Sequence, residues 1–342
     1  MKKLGILFSI LVFACVSISV QAQDDYNKEF NQEFKVNKDA MLRLDNKFGN
    51  ITCETWNNNE IAIQVIVEVH NKSQRRAEEL LDKINVEFSG SNSMVSAITR
   101  IGKMRSGNNH FSIDYYVKLP ASVRLDVDNK YGNVFLPTME GSTDLTVKYG
   151  DLQVNKLMSD NNEITVKYGE LNADMISKAR IDFGYSEMRI DEADYLDMKT
   201  SYSEVNIDKV HKMDLRTSFD DVEIDEIAVL EAKSNYSEVE IGMLAAELDI
   251  DADFGSVEID RIASDFSYIY VEGSYTGIEL GFADGAGFEA EIYTKYGDFH
   301  SKYRNEMNRE KLGHSSYRYY GTIGNGKGKV KVKTTFASVD ID

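Results

Sequence analysis

Residues 181–207 read IDFGYSEMRIDEADYLDMKTSYSEVNI and contain the same short pattern twice. An aromatic residue is followed by Ser, Glu and an apolar residue, first at Tyr185 and again 17 residues later at Tyr202. Apolar and polar residues alternate on both sides of each copy. Because alternation with a period of two is typical of strands that bury one face, the stretch predicts short strands separated by a bend next to the aromatic residue.

The pattern continues in both directions along the chain. From Tyr131 to Tyr296 the aromatic residues lie 17 to 21 residues apart. A repeat of this length is too short for a propeller blade or a helical repeat, and it predicts one coil of a β-solenoid. The copies start at Tyr131, Tyr149, Tyr168, Tyr185, Tyr202, Phe219, Tyr236, Phe254, Tyr275 and Tyr296, with Phe48 as an outlier before them and Phe336 near the end of the chain.

Stacked coils of this kind form an all-β rod. We expect a single-stranded parallel β-solenoid (β-helix) of about 10–12 short coils, roughly 50–60 Å long at ~4.8 Å per coil. Two sandwiched sheets are the alternative, but they do not require the same column residues to recur at a nearly fixed period. The parity of the alternation places the aromatic residues with the inward set, which predicts an interior or corner ladder and not an exposed sugar-stacking platform.

The two ends of the chain lack the short period. A long strand around Ile61 to Val69 and a helix over 73–84, capped by Ser73, predict an N-terminal cap rich in β-strands. The predicted organisation is a signal peptide at 1–22, the cap at 23–120, solenoid repeats at 121–301, an insertion loop at 302–325 and a terminal coil at 326–342.

The first 22 residues have the pattern of a secretory signal peptide. Lys2 and Lys3 precede an apolar run, and cleavage is expected after Ala22. Lipidation at Cys15 and an uncleaved anchor are the alternatives. Cleavage predicts export across the inner membrane to the periplasm or the outer-membrane surface, with no transmembrane span left. It also leaves Cys53 as the last cysteine, which alternation points inward as a buried structural thiol.

The chain is strongly acidic, with a formal charge of −18 that becomes −20 once the two N-terminal lysines are removed. This charge excludes nucleic acid as a partner, because phosphate binding needs a basic surface. Stacked carboxylates about 5 Å apart repel by roughly 1 kcal/mol per neighbouring pair in water, and weakly bound calcium would relieve that repulsion. A solvated acidic face is the alternative for the six carboxylates two positions after the aromatics, which are Asp151, Glu170, Glu187, Glu204, Asp221 and Glu238.

The insertion at 302–325 is basic and rich in tyrosine. Because loops often carry binding residues, it is a candidate ligand-binding platform. The lysines at 327, 329, 331 and 333 alternate along the final strand, where they would block edge-to-edge pairing; an anion-binding surface is the alternative. The candidate ligand-binding residues of the insertion are Tyr303, Arg304, Tyr317, Tyr319 and Tyr320.

Motifs of catalysis are missing from the sequence. The five histidines are scattered, and the sequence contains no HExxH, phosphate-loop or GxSxG pattern. Coils of 17 residues also leave no material for the long loops that build a cleft in polysaccharide-cutting β-helix enzymes. The sequence therefore predicts a protein that is not an enzyme and has no cofactor, apart from weakly bound calcium.

The whole mature chain resembles the bacterial putative-adhesin family of domains of unknown function, which is related to the head domain of putative auto-transporter adhesins. The resemblance implies a right-handed β-solenoid in the cell envelope, without established chemistry. The matching segments are the opening Asn46-Lys47-Phe48-Gly49-Asn50-Ile51 with Trp56 after it, the piece around Ala77-Glu78-Glu79-Leu80, the strand end Tyr116-Val117-Lys118-Leu119-Pro120, the ladder start at Asn129 and the closing segment from Gly326 to Phe336.

These observations favour an exported, non-enzymatic, adhesin-like β-solenoid of the bacterial envelope. Many weak contacts along the repetitive acidic face would add up through avidity. The expected partner is a glycan or protein of the envelope or the extracellular medium. The alternatives are a periplasmic accessory protein in envelope-stress signalling and a polysaccharide-acting β-helix enzyme.

Overall fold

The protein, seen in a computed structural model, is described over residues 25–104 and 110–342. The predicted signal peptide and Cys15 lie outside the described residues. Within the described ranges the chain forms 24 strands, one α-helix and one short 3-10 helix. None of the helices in those ranges is long and apolar enough to cross a membrane.

The N-terminal part contains seven strands and the α-helix. Ser73 is the N-cap of the helix, and Ala77, Leu80 and Leu81 are its buried residues. The bounds are β1 (Asp25–Lys35), β2 (Met41–Lys47), β3 (Ile51–Thr55), β4 (Glu60–His70), α1 (Gln74–Leu81), β5 (Ile84–Gly90), β6 (Met94–Ile101) and β7 (His110–Leu119).

The repeats follow without another α-helix. Their strands are β8 (Arg124–Lys130), β9 (Val134–Met139), β10 (Thr143–Lys148), β11 (Leu152–Leu157), β12 (Asn162–Lys167), β13 (Glu170–Gly184), β14 (Glu187–Ser201), β15 (Glu204–Ser218), β16 (Asp221–Asn235), β17 (Glu238–Ile262), β18 (Tyr268–Phe282), β19 (Phe288–Lys295) and β20 (Phe299–Ser301). A 3-10 helix (Arg304–Glu306), β21 (Met307–Lys311), β22 (Ser316–Ile323), β23 (Gly328–Thr335) and β24 (Val339–Ile341) complete the chain.

Each coil has two strand segments that meet at its aromatic residue, and each segment pairs in parallel with its equivalent in the next coil. In the first segment, Leu145 lies between Val127 and Ile164 of the adjacent coils. In the second, Leu152 lies between Val134 and Leu171. These registers confirm the all-β, mostly parallel, solenoid-like architecture; its handedness stays a prediction.

The core is a set of inward columns between the two segments. Along the repeat strands, alternate residues are buried. The side chains three residues after each aromatic form one column, and they are almost completely buried. Its buried members are Ile51, Val134, Leu152, Leu171, Met188, Val205, Val222, Val239, Val257, Ile278, Val339 and Phe299. Because each column continues from coil to coil in one hydrophobic core, the stability of the rod depends on the stacking of neighbouring coils.

The coil that carries Phe48 belongs to the rod. β2 pairs in parallel with β8, and β3 pairs in parallel with β9. Beyond this coil β7 pairs in parallel with β3. The sheet then turns antiparallel: β4 pairs with β7, and β1 pairs with β4. On the other segment, β6 follows β2 and β5 pairs antiparallel with β6. The helix α1 packs against β1, β4 and β5.

The C-terminal strands do not follow chain order. β23 lies between β18 and β19 and pairs in parallel with both. The segment 326–342 is thus the last coil in sequence but the second-last coil in space. The expectation that its lysines protect a terminal edge is therefore wrong, since β23 has a strand on each side.

The segment 302–325, predicted as a loop, folds mainly as a hairpin. β22 pairs antiparallel with β19, and β21 pairs antiparallel with β22. The hairpin therefore extends the sheet beyond the last coil. β21 lies outermost and exposes Asn308, Arg309, Glu310 and Lys311, charged and polar side chains of the kind that discourage pairing at an open edge.

Candidate functional site

The aromatic ladder forms an exposed corner of the rod. Its twelve residues all have a left-handed backbone, with φ between 51° and 67°. Their rings are nearly parallel and stack with centroids 4.7–5.1 Å apart. In spatial order the ladder is Phe48, Tyr131, Tyr149, Tyr168, Tyr185, Tyr202, Phe219, Tyr236, Phe254, Tyr275, Phe336 and Tyr296.

The predicted interior position of the ladder is wrong, and the corner position is right. Eleven of the rings are 42–56% exposed, and Phe48 is half-buried beneath Phe111. The parity argument fails because the left-handed residue turns the chain at the aromatic itself. Since the faces of the rings between Phe48 and Tyr296 are covered by their neighbours, this part of the ladder offers ring edges and hydroxyl groups to a partner.

Glycine directly after the aromatic residue allows the backbones of neighbouring coils to approach each other closely. A Cβ on Gly150 would lie 2.2 Å from the carbonyl oxygen of Gly132, and one on Gly169 would lie 1.9 Å from that of Gly150. Coils with serine here have a different corner, in which the hydroxyl donates to a carbonyl two residues earlier. Ser203 donates to Ser201 at 2.9 Å, and Ser237 donates to Asn235 at 3.0 Å.

Asp220 holds one of these corners together from inside. Its side chain is buried, and its two oxygens accept four hydrogen bonds. Oδ1 accepts from the backbone N–H of Ser203 at 2.7 Å. Oδ2 accepts from the hydroxyls of Thr200 and Thr217 and from the backbone N–H of Ser218. This carboxylate is a structural group, since its acceptor positions are already used within the corner.

The six predicted carboxylates do form a column beside the ladder, which we call the acidic column. Register pairs Glu170 with Glu187, Glu187 with Glu204, and onward to Asp221 and Glu238. At its start, Asp151 accepts a hydrogen bond from the backbone N–H of Glu170 at 3.0 Å. Five of the six are exposed, and Asp151 is half-buried. The acidic column therefore presents carboxylates at the strand spacing of the sheet.

Like charges accumulate further along the same face. Glu240 lies in register with Glu223, two positions along the strand from the acidic column. Partial desolvation, followed by the charges of Glu258 and Glu223, raises the pKa of Glu240 above its ordinary value. A raised pKa means that the charged form is disfavoured, so desolvation and like-charge repulsion at Glu240 oppose folding at neutral pH.

The calcium expectation stays a prediction. Across residues 25–104 and 110–342, no three side chains of His, Cys, Asp or Glu come together in a group that could hold a metal ion. The acidic column places carboxylates in neighbouring pairs, so a cation there would bridge two coils.

The predicted platform in 302–325 is only partly exposed, because Tyr319 is buried and Tyr303, Arg304 and Tyr317 are half-buried. Tyr319 is 6% exposed, and the guanidinium of Arg304 lies 4.8 Å from its ring centroid. Tyr303 packs edge-on against Phe288 at 5.7 Å, and Tyr317 is covered by Arg309 at 3.9 Å. Tyr320 is 37% exposed. The five residues therefore lie near one another but do not form an exposed aromatic surface.

Cys53 is 7% exposed, and burial raises the pKa of its thiol to about 12. A thiol that stays protonated in this way is a poor nucleophile. The structure places it in β3 with its side chain inward, in keeping with the structural role expected from alternation.

A cleft on the N-terminal sheet was missed by sequence reasoning. It has a volume of about 480 Å³, and its lining includes Trp56 and Tyr116. These residues are 60 apart in the sequence and come together through the pairing of β3 with β7. A possible signal was the single tryptophan of the chain, placed directly after a strand.

The sequence profile of the family described as Toastrack DUF4097 matches residues 18–342. The chain belongs to the Toastrack DUF4097 family. This family is a domain of unknown function. No curated protein matches the chain.

Several solved structures are similar to this Toastrack chain at low identity. A putative adhesin from Parabacteroides distasonis is 11% identical, with a TM-score of 0.30, and the match covers 89% of this chain and 96% of that one. A putative adhesin from Bacteroides fragilis is 9% identical, with a TM-score of 0.26 and coverage of 92% and 97%. At these values the names of the neighbours do not transfer to this Toastrack protein.

Proposed function

We propose that the chain is an exported, non-catalytic, adhesin-like rod of the bacterial envelope that binds its partner through many repeated contacts along its acidic face. The observation that carries this proposal is the acidic column, in which Asp151 to Glu238 repeat on successive coils beside the exposed ladder. A rigid row of identical charged groups favours binding through avidity. Once one carboxylate has bound the partner, the other carboxylates are held close to the partner's remaining sites.

Neutralising the acidic column is expected to weaken binding and to raise thermal stability. The variant carries Asp151→Asn, Glu170→Gln, Glu187→Gln, Glu204→Gln, Asp221→Asn and Glu238→Gln. Removing repulsion of roughly 1 kcal/mol or less per neighbouring pair should raise the melting temperature by a few degrees. Binding to envelope fragments of the bacterium that makes the protein should fall more than tenfold, measured by biolayer interferometry on the immobilised chain.

A matched control removes six other exposed carboxylates. Asp144, Glu163, Glu231, Glu247, Asp249 and Asp251 lie outward on the other strand segment, and their amide variants change the net charge by the same amount. Equal loss of binding in both variants would mean that net charge, and not the acidic column, attracts the partner. A second variant replaces only three of the six carboxylates of the acidic column by amides. If the contacts are multivalent, its loss of binding free energy should exceed half of the loss seen when all six are replaced.

Export to the cell surface has its own test. Gly313 and His314 are exposed in the turn between β21 and β22, so a protease site inserted there should be accessible without unfolding the rod. We expect cleavage on intact cells, with a periplasmic protein as the uncut control. Cleavage only after the outer membrane is opened would instead favour a periplasmic role.

A further inference from the structure

Seven uncharged side chains form a row across the N-terminal end of the rod, which we call the uncharged row. Strand register brings them side by side from seven different strands, and none of them is buried. At ~4.8 Å per strand the row is roughly 29 Å long. Its members, in order, are Asn31, Gln64, Tyr116, Thr52, Phe135, Gln153 and Asn172.

The row differs from the surface that continues it. On the next four coils the positions in register with Asn172 are occupied, in order, by Arg189, Asn206, Glu223 and Glu240, three of which are charged. Two aromatic rings, Tyr116 and Phe135, fall within the uncharged part. Tyr116 is 48% exposed and is flanked by the amide of Gln64 and the hydroxyl of Thr52.

A cleft lies along this row. Its volume is about 480 Å³, within the range of small-molecule sites. Ala62 lies in register between Glu33 and Lys118. Its short side chain leaves the space between these two residues open and so forms the bottom of the cleft. Lys118 is already paired with Glu54 at 3.3 Å, so the cleft lacks an excess of positive charge.

Trp56 contributes a further aromatic ring to the cleft and is held in place at two points. Its indole N–H donates to the carbonyl of Glu60 at 2.7 Å, and its backbone N–H donates to the carbonyl of Leu119 at 3.0 Å. A ring fixed in this way loses little conformational entropy when a ligand packs against it.

We propose that this cleft and the uncharged row bind a neutral oligosaccharide. A sugar ring presents apolar C–H faces, which pack on aromatic rings, and hydroxyl groups, which need donors and acceptors. In the cleft, Trp56 and Tyr116 supply the aromatic rings. The hydrogen-bond donors and acceptors are supplied by Gln64, Thr52 and Asn31. An anionic glycan fits less well, because Glu33 and Glu54 offset the single charge of Lys118. The proposal goes beyond the acidic face, since it uses neither the acidic column nor the ladder.

The single tryptophan gives a direct test. Because Trp56 is the only tryptophan in the sequence, its fluorescence reports on this cleft alone when it is excited beyond the absorption of the 19 tyrosines. The full chain is titrated with maltohexaose, cellohexaose, chitohexaose and a mannohexaose, with hexagalacturonate and hexalysine as charged competitors. We expect a saturable change with at least one neutral hexasaccharide, unaffected by 0.5 M salt, since screening acts only on charge.

Variants separate binding at the cleft from loss of folding. Tyr116→Ala is expected to weaken the binding at least tenfold, whereas Tyr116→Phe keeps the ring and most of the affinity. Tyr320→Ala removes an exposed tyrosine at the other end of the rod and should change nothing, as should neutralisation of the acidic column. Circular dichroism checks the fold of each variant.

Three results would overturn the proposal. They are no fluorescence change with any of the four neutral sugars, a change that Tyr116→Ala leaves intact, or binding of hexalysine or hexagalacturonate alone. Each of these outcomes leaves the multivalent acidic face untouched, because that proposal is tested on the other set of variants.

Discussion

Removal of residues 327–342 is expected to unfold the C-terminal end of the rod as far back as about residue 283. In the described structure, β19 and β20 pair with the preceding coil only through β23 and β24. The hairpin of β21 and β22 is in turn paired only with β19. The truncated chain should therefore become sensitive to limited proteolysis between Phe288 and Ile323, with amide hydrogen exchange as the second measurement.

The size of the effect follows from what the last segment buries. Val330, Val332, Val339 and Ile341 are at most 2% exposed, and full burial of such a side chain contributes roughly 1.5–3 kcal/mol. Val332 lies between Val271 and Ile292, so it connects the two coils directly. Loss of the segment also leaves the inner edges of β18 and β19 with unpaired backbone groups, which favours aggregation.

A full-length variant with threonine in place of Lys329, Lys331 and Lys333 is the matched control. These side chains face outward, and of the three only Lys333 makes an ion pair, at 2.9 Å with Glu272. The control should keep its resistance to protease. Proteolysis of the control to the same extent as the truncated chain would show that the lysines, and not the strand between two coils, hold this end together.

This strand also shows where sequence reasoning stops. The recurrence of an aromatic residue followed three positions later by an apolar one predicts the coil, because the same spacing must bury the same column each time. It does not give the spatial order of coils. Phe336 carries the same local pattern as Tyr296, and only pairing over long sequence distances decides that it stacks between Tyr275 and Tyr296.

The corner was misread for a local reason. Sequence reasoning placed the bend at the two residues after the aromatic, because the parity of the alternation shifts by one between the aromatic and the third residue after it. A glycine there would adopt the left-handed conformation without strain. In the structure the aromatic takes that conformation, as at Tyr149 with φ of 57°, although it costs an L-residue roughly 1–2 kcal/mol. Ring stacking and the parallel ladders on both sides offset this cost, and neither is visible in one repeat alone.

The cap and its cleft were harder to predict. The alternation in β3 and β7 indicates which residues of each strand face outward, so Thr52 and Tyr116 could be placed on a surface. Nothing local shows that these two strands are neighbours, since their pairing joins residues 64 apart. By contrast, the acidic column was predictable residue by residue, because its members are separated by one repeat and the repeat sets the register.

Asp220→Ala is expected to destabilise the repeat strongly, with a loss of about 3–5 kcal/mol in the free energy of unfolding. The change leaves two buried hydroxyls and two backbone N–H groups without their acceptor, in a corner where Asp220 is 6% exposed. Urea denaturation followed by circular dichroism measures the loss.

The neighbouring residue provides the control, since Asp221 has the same side chain but is exposed in the acidic column. Asp221→Ala should be neutral or slightly stabilising, because it removes repulsion and leaves no buried donor behind. Asp220→Ser should fall between the two: its hydroxyl can donate to the carbonyl of Ser218, as Ser203 does to Ser201, but its single oxygen cannot accept from all four donors. If Asp220→Ala and Asp221→Ala unfold within about 0.5 kcal/mol of each other, surface charge and not the buried carboxylate governs this coil.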